Sequence, residues 1–235
     1  MPYPNVGFWR ALDDGRRVPV GDGKHYVLSV IDCGFLLMPT GRLVACDPFA
    51  TLRKGNDLCS QIPPGRYRVL VTLADVSDAN DGSHVREAYA TLMLDETAAE
   101  ATRRIITPSR EGACPPEMGD DGAYYGFPVD AGTACFVDQG AIDTLMPDGN
   151  WYEDLFDNGT PNSWFARMDD ASHVRAGIAN IPLPQATQGE NIVVIHSGWG
   201  DGHYPVVGGY DVSDRLVRVH IDFLVVFEDD EDNGA

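Results

Sequence analysis

Apolar residues recur at every second position in two parts of this chain. Between residues 66 and 73 every second residue, from Tyr67 onward, is apolar. Residues 217–223 repeat the pattern, with Arg218 and Asp222 among the polar positions. A period of two places these side chains on one face of a strand, so both segments are predicted to be strands. Shorter apolar or β-branched runs between Gly, Pro and Asp predict six more strands: 26–31, 34–38, 43–46, 85–94, 133–137 and 192–196.

Helical patterns are short and few. Asp138 is suited to cap a helix over residues 139–145, which Pro147 would end. Residues 151–156 are expected to form another turn or two, and the Ala-rich residues 96–105 a third helix. Many strands with two or three short helices predict an α+β fold that is predominantly antiparallel β, either sandwich-like or barrel-like.

The chain shows no division into repeats or separate modules. Residues 107–128 are rich in Pro, Gly, Glu and Asp without a period, which predicts a long surface loop. Residues 228–235 are predicted to form a solvated acidic tail. We expect residues 1–235 to form a single domain whose sheets draw on both halves of the chain.

Composition narrows the classes of function. The 235 residues are 43% hydrophobic, enough for a sizeable core, and lack the roughly 18 consecutive apolar residues of a membrane helix. Without a secretory leader pattern, a soluble cytoplasmic protein is expected. The net charge of -19 argues against direct nucleic-acid binding and suits a basic partner protein. The 5 cysteines include no Cys-x-x-Cys pair, so free thiols are expected rather than a disulfide framework.

Residues 197–205 concentrate the functional chemistry of the chain. They read Ser-Gly-Trp-Gly-Asp-Gly-His-Tyr-Pro and follow the strand-like residues 191–195, which predicts a stiff turn that lines a cleft. Asp201 and His203 would act there as acid and base. With Asp47 they would instead hold a divalent metal ion that activates water for hydrolysis. The alternative is a tight Asp-Gly turn with an exposed, inactive His203.

Other residues are predicted to contact a ligand in the same cleft. Trp199 and Tyr204 supply aromatic surface, and Asp130 and Thr133 flank a glycine that lets the backbone approach a ligand closely. Asp130 is equally suited to a turn at the entry to a strand. Asp47 precedes a proline, so it stays extended, and its carboxylate would serve either as a ligand or as a structural clamp.

Aromatic residues also cluster in the middle of the chain. They lie among Asp and Asn residues, a composition seen at ligand pockets and interfaces but also at the edge of a core. The members are Trp151, Tyr152, Phe156, Trp164 and Phe165.

Several short motifs, taken in order, resemble one known family. They lie at 41–48, 63–69, 86–90, 130–138 and 197–205, followed by 208–211 and 222–223. Together they resemble a bacterial family catalogued as domain of unknown function 4241, over about residues 25–227. The resemblance implies a β-rich single domain and no mechanism.

Two functions from different classes are therefore predicted. The first is a small-molecule-binding protein or metal-assisted hydrolase with its cleft at residues 197–205. The second is a non-catalytic protein of the immunity or inhibitor type, which uses its acidic surface to bind a basic partner.

Overall fold

The computed structural model describes residues 9–56, 59–106 and 124–227. These residues form two antiparallel sheets, the larger curled into a half-barrel, with three short helical segments, so the predicted β-rich α+β class is confirmed. The predicted tail 228–235 and residues 107–123 of the predicted loop lie outside the described residues.

The strands of the larger sheet come from both halves of the chain. They are β1 (Arg17–Pro19), β2 (His25–Met38), β5 (Gly65–Asp75), β6 (Val85–Met93), β7 (Thr102–Ile105), β8 (Gly126–Val129), β12 (Gly202–Tyr210) and β13 (Leu216–Asp222). The main order is β1-β2-β5-β6-β13-β12-β7, and β8 also pairs with β12.

The smaller sheet has five strands in the order β10-β11-β9-β3-β4. They are β3 (Arg42–Cys46), β4 (Ser60–Gln61), β9 (Thr133–Asp138), β10 (Ile178–Pro182) and β11 (Asn191–His196). The helical segments are α1 (Gln139–Leu145), a π-helical turn (Tyr152–Phe156) and α2 (Trp164–Asp169).

The smaller sheet is buried on both faces. Along β9, Ala134 and Phe136 pack into a core shared with the larger sheet, whereas Cys135 and Val137 pack into a second core against α1 and α2. Alternate residues of a strand point to opposite faces, so a strand apolar at every position can fill two cores. The molecule therefore has three layers, namely large sheet, small sheet and helices.

Two predicted strands are one strand in the structure. Residues 26–31 and 34–38 both belong to β2, whose pairing with β5 shifts between Asp32 and Phe35. Gly34 has a φ of +82°, and its N–H donates to the Asp32 carboxylate at 2.9 Å. A β-bulge with a left-handed glycine bends a strand without ending it, which explains the glycine that suggested a break.

The helix predictions are partly correct. Asp138 caps α1 and accepts from the Ala141 N–H at 2.9 Å, as predicted, and residues 152–156 form one π-helical turn. The helix predicted over residues 96–105 is wrong. Residues 96–101 are irregular, and Thr102–Ile105 forms β7, which pairs with β12. Basic side chains of the larger sheet, including Arg218, bind Glu100 and hold the segment against the sheet.

Two segments predicted as loop or turn overlap strands of the structure. Gly126–Val129 forms β8 rather than the end of the 107–128 loop, and β12 begins at Gly202, within the predicted 197–205 turn. Four cysteines, Cys33, Cys46, Cys59 and Cys135, are buried free thiols. Within the described residues, no helix combines the length and apolar character of a membrane span. The cytoplasmic location and the single-domain organisation stay predictions.

Candidate functional site

Asp47 organises the loop that follows β8. Its carboxylate is fully buried and accepts the N–H groups of Asp130 at 2.9 Å and Ala131 at 2.7 Å, and the Thr133 hydroxyl at 2.8 Å. The other contacts come from the backbone of its own turn, including the Phe49 N–H at 3.1 Å. A carboxylate with this many donors is structurally committed. Asp47 makes the contacts of a structural clamp, and its predicted role as a ligand stays a prediction.

Asp201 joins this loop to the turn after β11. Its carboxylate accepts the Gly132 N–H at 3.1 Å, and the Ser197 N–H donates to the Gly132 carbonyl at 3.0 Å. The turn itself is closed by the Gly200 N–H, which donates to the Ser197 carbonyl at 3.0 Å. Asp201 therefore holds two chain segments together rather than bonding to its own turn.

Tyr204 supports the turn from inside the protein. It is 4% exposed, and its hydroxyl donates toward the carbonyls of Ser197 at 2.9 Å and Gly200 at 2.7 Å. Burial raises the pKa of this hydroxyl. Its ring packs edge-on against Phe223 at 5.6 Å, and the ligand contact predicted for Tyr204 stays a prediction.

Gly198 sets how closely the turn approaches the larger sheet. Its φ is +59°, and a Cβ there would lie 2.7 Å from Val225 Cγ2 and 3.0 Å from Phe223 Cβ. A side chain at this position would clash and would also strain the backbone. The glycine therefore fits the turn closely against residues 223–225.

The two joined segments form one wall of a cleft of about 250 Å³. Residues 131–133 and 198–200 supply this wall. α2 contributes Phe165, Met168 and Asp169 to the lining. The cleft therefore lies where the smaller sheet, α2 and the turn meet.

Arg86 and His196 complete the lining of the cleft. The Arg86 guanidinium carbon lies 5.2 Å from the centre of the Trp199 ring, within the range of a cation–π contact. The Arg86 Nε atom is buried, and within the described residues it has no hydrogen-bond partner. Trp199 is 52% exposed, so its ring is accessible at the cleft.

His196 lies at the end of β11, opposite Thr133 in β9. Partial burial lowers the pKa of its ring, which the nearby Asp169 partly offsets, so the neutral imidazole predominates at pH 7. Gly177 leaves room for the His196 ring, because a Cβ at position 177 would lie 2.6 Å from the His196 Nδ1. A neutral imidazole can both donate and accept a hydrogen bond at the cleft.

Glu87 follows Arg86 in β6 and is 4% exposed. Burial raises the pKa of this carboxyl to about 7, although Arg175 and Arg86 oppose the shift. Glu87 is absent from the cleft lining, but its carboxyl interacts electrostatically with Arg86, which does line the cleft.

The structure brings together only part of the predicted site. Trp199 and Thr133 line the cleft, whereas Asp130, Asp201 and His203 do not. The His203 ring lies on β12 beside Tyr124, with ring centres 5.5 Å apart, and partial burial lowers its pKa. The ligand and catalytic roles given to these three residues stay predictions.

The predicted metal site gains no support from the geometry. Across residues 9–56, 59–106 and 124–227, no three His, Cys, Asp or Glu side chains are grouped so as to hold a metal ion. The Asp47 carboxylate accepts hydrogen bonds from Thr133 and from the 130–131 backbone. The Asp201 carboxylate accepts one from the Gly132 N–H. His203 lies in β12 and belongs to neither group of contacts.

Sequence reasoning missed Arg86, Asp169 and His196 as cleft residues. Each is separated by at least 27 positions from its neighbours in this set, and no local motif links them. They come to one place only because β6 of the larger sheet, β11 of the smaller sheet and α2 pack together. Phe165 belongs to the aromatic cluster for which a pocket was one of two interpretations, and it does line the cleft.

The comparison with known families identifies one family. The chain belongs to the family of proteins of unknown function DUF4241, whose model matches residues 36–221. The match covers β3, β6, β9 and β11 and the whole cleft. No curated protein and no solved structure matches the chain.

Proposed function

We propose that this protein binds a small molecule in the cleft between α2 and the 198–200 turn. The observation that carries the proposal is the pairing of an exposed aromatic ring, Trp199, with a cation, Arg86, in a concave site. Within the described residues Arg86 has no ion-pair partner. Concave, largely apolar sites with a few polar groups are the usual form of ligand pockets.

Binding is proposed in preference to metal-assisted hydrolysis. The acid and base predicted for hydrolysis, Asp201 and His203, do not line the cleft, and Asp201 instead holds the Gly132 N–H. The lining contributes recognition groups, namely a guanidinium, a carboxylate, a neutral imidazole and aromatic rings. The basic-partner alternative rests on the net charge of -19 and stays a prediction.

The proposal is tested by blocking the cleft. Ala131 is exposed and lines the cleft, and its N–H contact with Asp47 does not use its side chain. Ala131→Trp should therefore fill the cleft and leave the fold intact. Protein incubated with an extract of cellular small molecules is desalted and weighed by native mass spectrometry.

We expect a stoichiometric extra mass on the wild-type protein that Ala131→Trp loses. Ala79→Trp is the matched control, because Ala79 is an exposed alanine outside the cleft lining. It should keep the extra mass. Retention of the mass by Ala131→Trp, or no extra mass on any of the three proteins, would contradict the proposal.

A further inference from the structure

Two side chains of opposite charge line the cleft without neutralising each other. Arg86 comes from β6, and Asp169 is the exposed last residue of α2. Within the described residues, neither takes part in an ion pair within 4.0 Å, whereas Arg68, Arg103 and Arg218 of the larger sheet do. Each charge is therefore available to a molecule that enters the cleft.

The other side chains of the lining carry no charge at neutral pH. Phe165, Met168 and Trp199 offer apolar surface, and the Thr133 hydroxyl is committed to Asp47. His196 is neutral because burial lowers its pKa. The lining thus presents one cation, one anion and an apolar surface.

Backbone N–H groups could bind an anionic group of the ligand together with Arg86. Gly198 and Trp199 both line the cleft, and their N–H groups have no backbone acceptor in the described part of the chain. Alternating left- and right-handed glycine turns expose such N–H groups to anionic ligand atoms. Gly198 and Gly200 both have positive φ, at +59° and +106°.

We propose that the ligand of this cleft is a small zwitterion, an α-amino acid with an apolar side chain. Its carboxylate would pair with Arg86 and the 198–199 N–H groups, its ammonium with Asp169, and its side chain would contact Phe165 and Met168. The inference rests on the proposed binding function and specifies its ligand class.

The size of the cleft agrees with this class. Pockets for drug-sized ligands begin at about 300 Å³. The cleft measures about 250 Å³, so it suits a smaller molecule. A guanidinium binds a carboxylate through two parallel hydrogen bonds, which a neutral amide cannot accept in the same way.

The inference is tested with defined probes on the full chain. Calorimetric titrations at pH 7.5 compare L-phenylalanine and L-methionine with the amide of each, which lacks the carboxylate, and the desamino acid of each, which lacks the ammonium. We expect at least one amino acid to bind about tenfold or more tightly than both of its analogues, since each lost charge leaves a protein charge unpaired.

Two variants assign each half of the recognition. Arg86→Gln should bind the amino acid no better than the wild-type protein binds the amide. Asp169→Asn should bind it no better than the wild-type protein binds the desamino acid. Arg66→Gln and Asp157→Asn are matched controls that should bind normally. Arg66 also stacks on an exposed aromatic ring, at 4.1 Å from Phe35, and Asp157 is an exposed carboxylate outside the cleft lining.

The outcomes separate this inference from the proposed function. Equal binding of an amino acid and either analogue, or no binding of either amino acid, overturns the zwitterion inference. In both cases the binding function still stands if Ala131→Trp removes the extra mass acquired from the extract. Both proposals would be overturned if no amino acid binds more tightly than its analogues and Ala131→Trp does not remove the extra mass.

Discussion

The carboxylates of Asp47 and Asp201 fix the backbone of the loop that lines the cleft. Asp47 holds residues 130, 131 and 133, and Asp201 holds residue 132, so four consecutive residues are fixed by two side chains. Hydrogen bonds to charged acceptors are among the stronger ones in proteins. The acidic residues that resemble catalytic groups in the sequence are here the groups that position the backbone.

Glu87 gives a residue-scale prediction on pH. The pKa of its carboxyl is about 7 in the folded protein, above the 4.5 of an ordinary Glu. Because the unfolded chain loses this proton first, folding becomes less favourable as pH rises from about 4.5 to 7. Glu87→Gln removes this effect. Relative to the wild-type protein, the variant should gain about 3 kcal/mol of unfolding free energy between pH 4.5 and 8.

Urea unfolding of both proteins at several pH values checks this expectation. The difference in unfolding free energy between variant and wild type should grow steadily across the pH range and level off above pH 8. A difference that is the same at pH 5 and pH 8 would show that the buried carboxyl titrates normally.

At the scale of elements, period-two patterns predicted the strands that pack by alternation. β5, β9 and β13 were all predicted because their side chains alternate or are apolar throughout. β12 was missed because Pro205, Gly208 and Gly209 are typical of turns. In the structure these glycines are required by packing, since a Cβ at Gly209 would lie 2.6 Å from the Glu100 side chain.

The position of Glu100 also explains why the helix predicted over residues 96–105 does not form. Helix propensity is local, whereas Glu100 is held by residues 118 and 120 positions away, Arg218 at 2.9 Å and His220 at 3.0 Å. Arg103 adds a further contact at 2.6 Å. Burial would raise the pKa of Glu100, but these basic partners lower it to about 2. Tertiary contacts here outweigh propensity.

We therefore expect Glu100→Ala to destabilise the protein by about 3 kcal/mol, because it leaves Arg218 and His220 without their buried partner. Glu96→Ala is the control. Glu96 lies in the same segment but pairs with Arg68 on the surface at 3.4 Å, so its loss should cost less than about 1 kcal/mol. Urea unfolding at pH 7 measures both, and equal costs would contradict this view of the segment.

For the whole molecule, the site depends on topology more than on any motif. The turn and the 130–133 loop were predicted as site segments from local composition, and Trp199 and Thr133 do line the cleft. Arg86, Asp169 and His196 are supplied by three other elements that meet only when the two sheets and α2 stack. A single sequence contains no pattern that predicts which distant elements will lie side by side in the folded protein.

The most direct test of ligand binding in this cleft uses the tryptophans as reporters. The chain has 4, of which Trp199 lines the cleft and Trp9 and Trp164 are buried elsewhere. Indole N–H resonances are recorded by NMR before and after adding the small-molecule extract, with Trp199 assigned through Trp199→Phe. We expect the Trp199 resonance to shift in the wild-type protein and to stay unchanged in Ala131→Trp. An unmoved Trp199 resonance, or an equal shift in Ala131→Trp, would contradict this expectation.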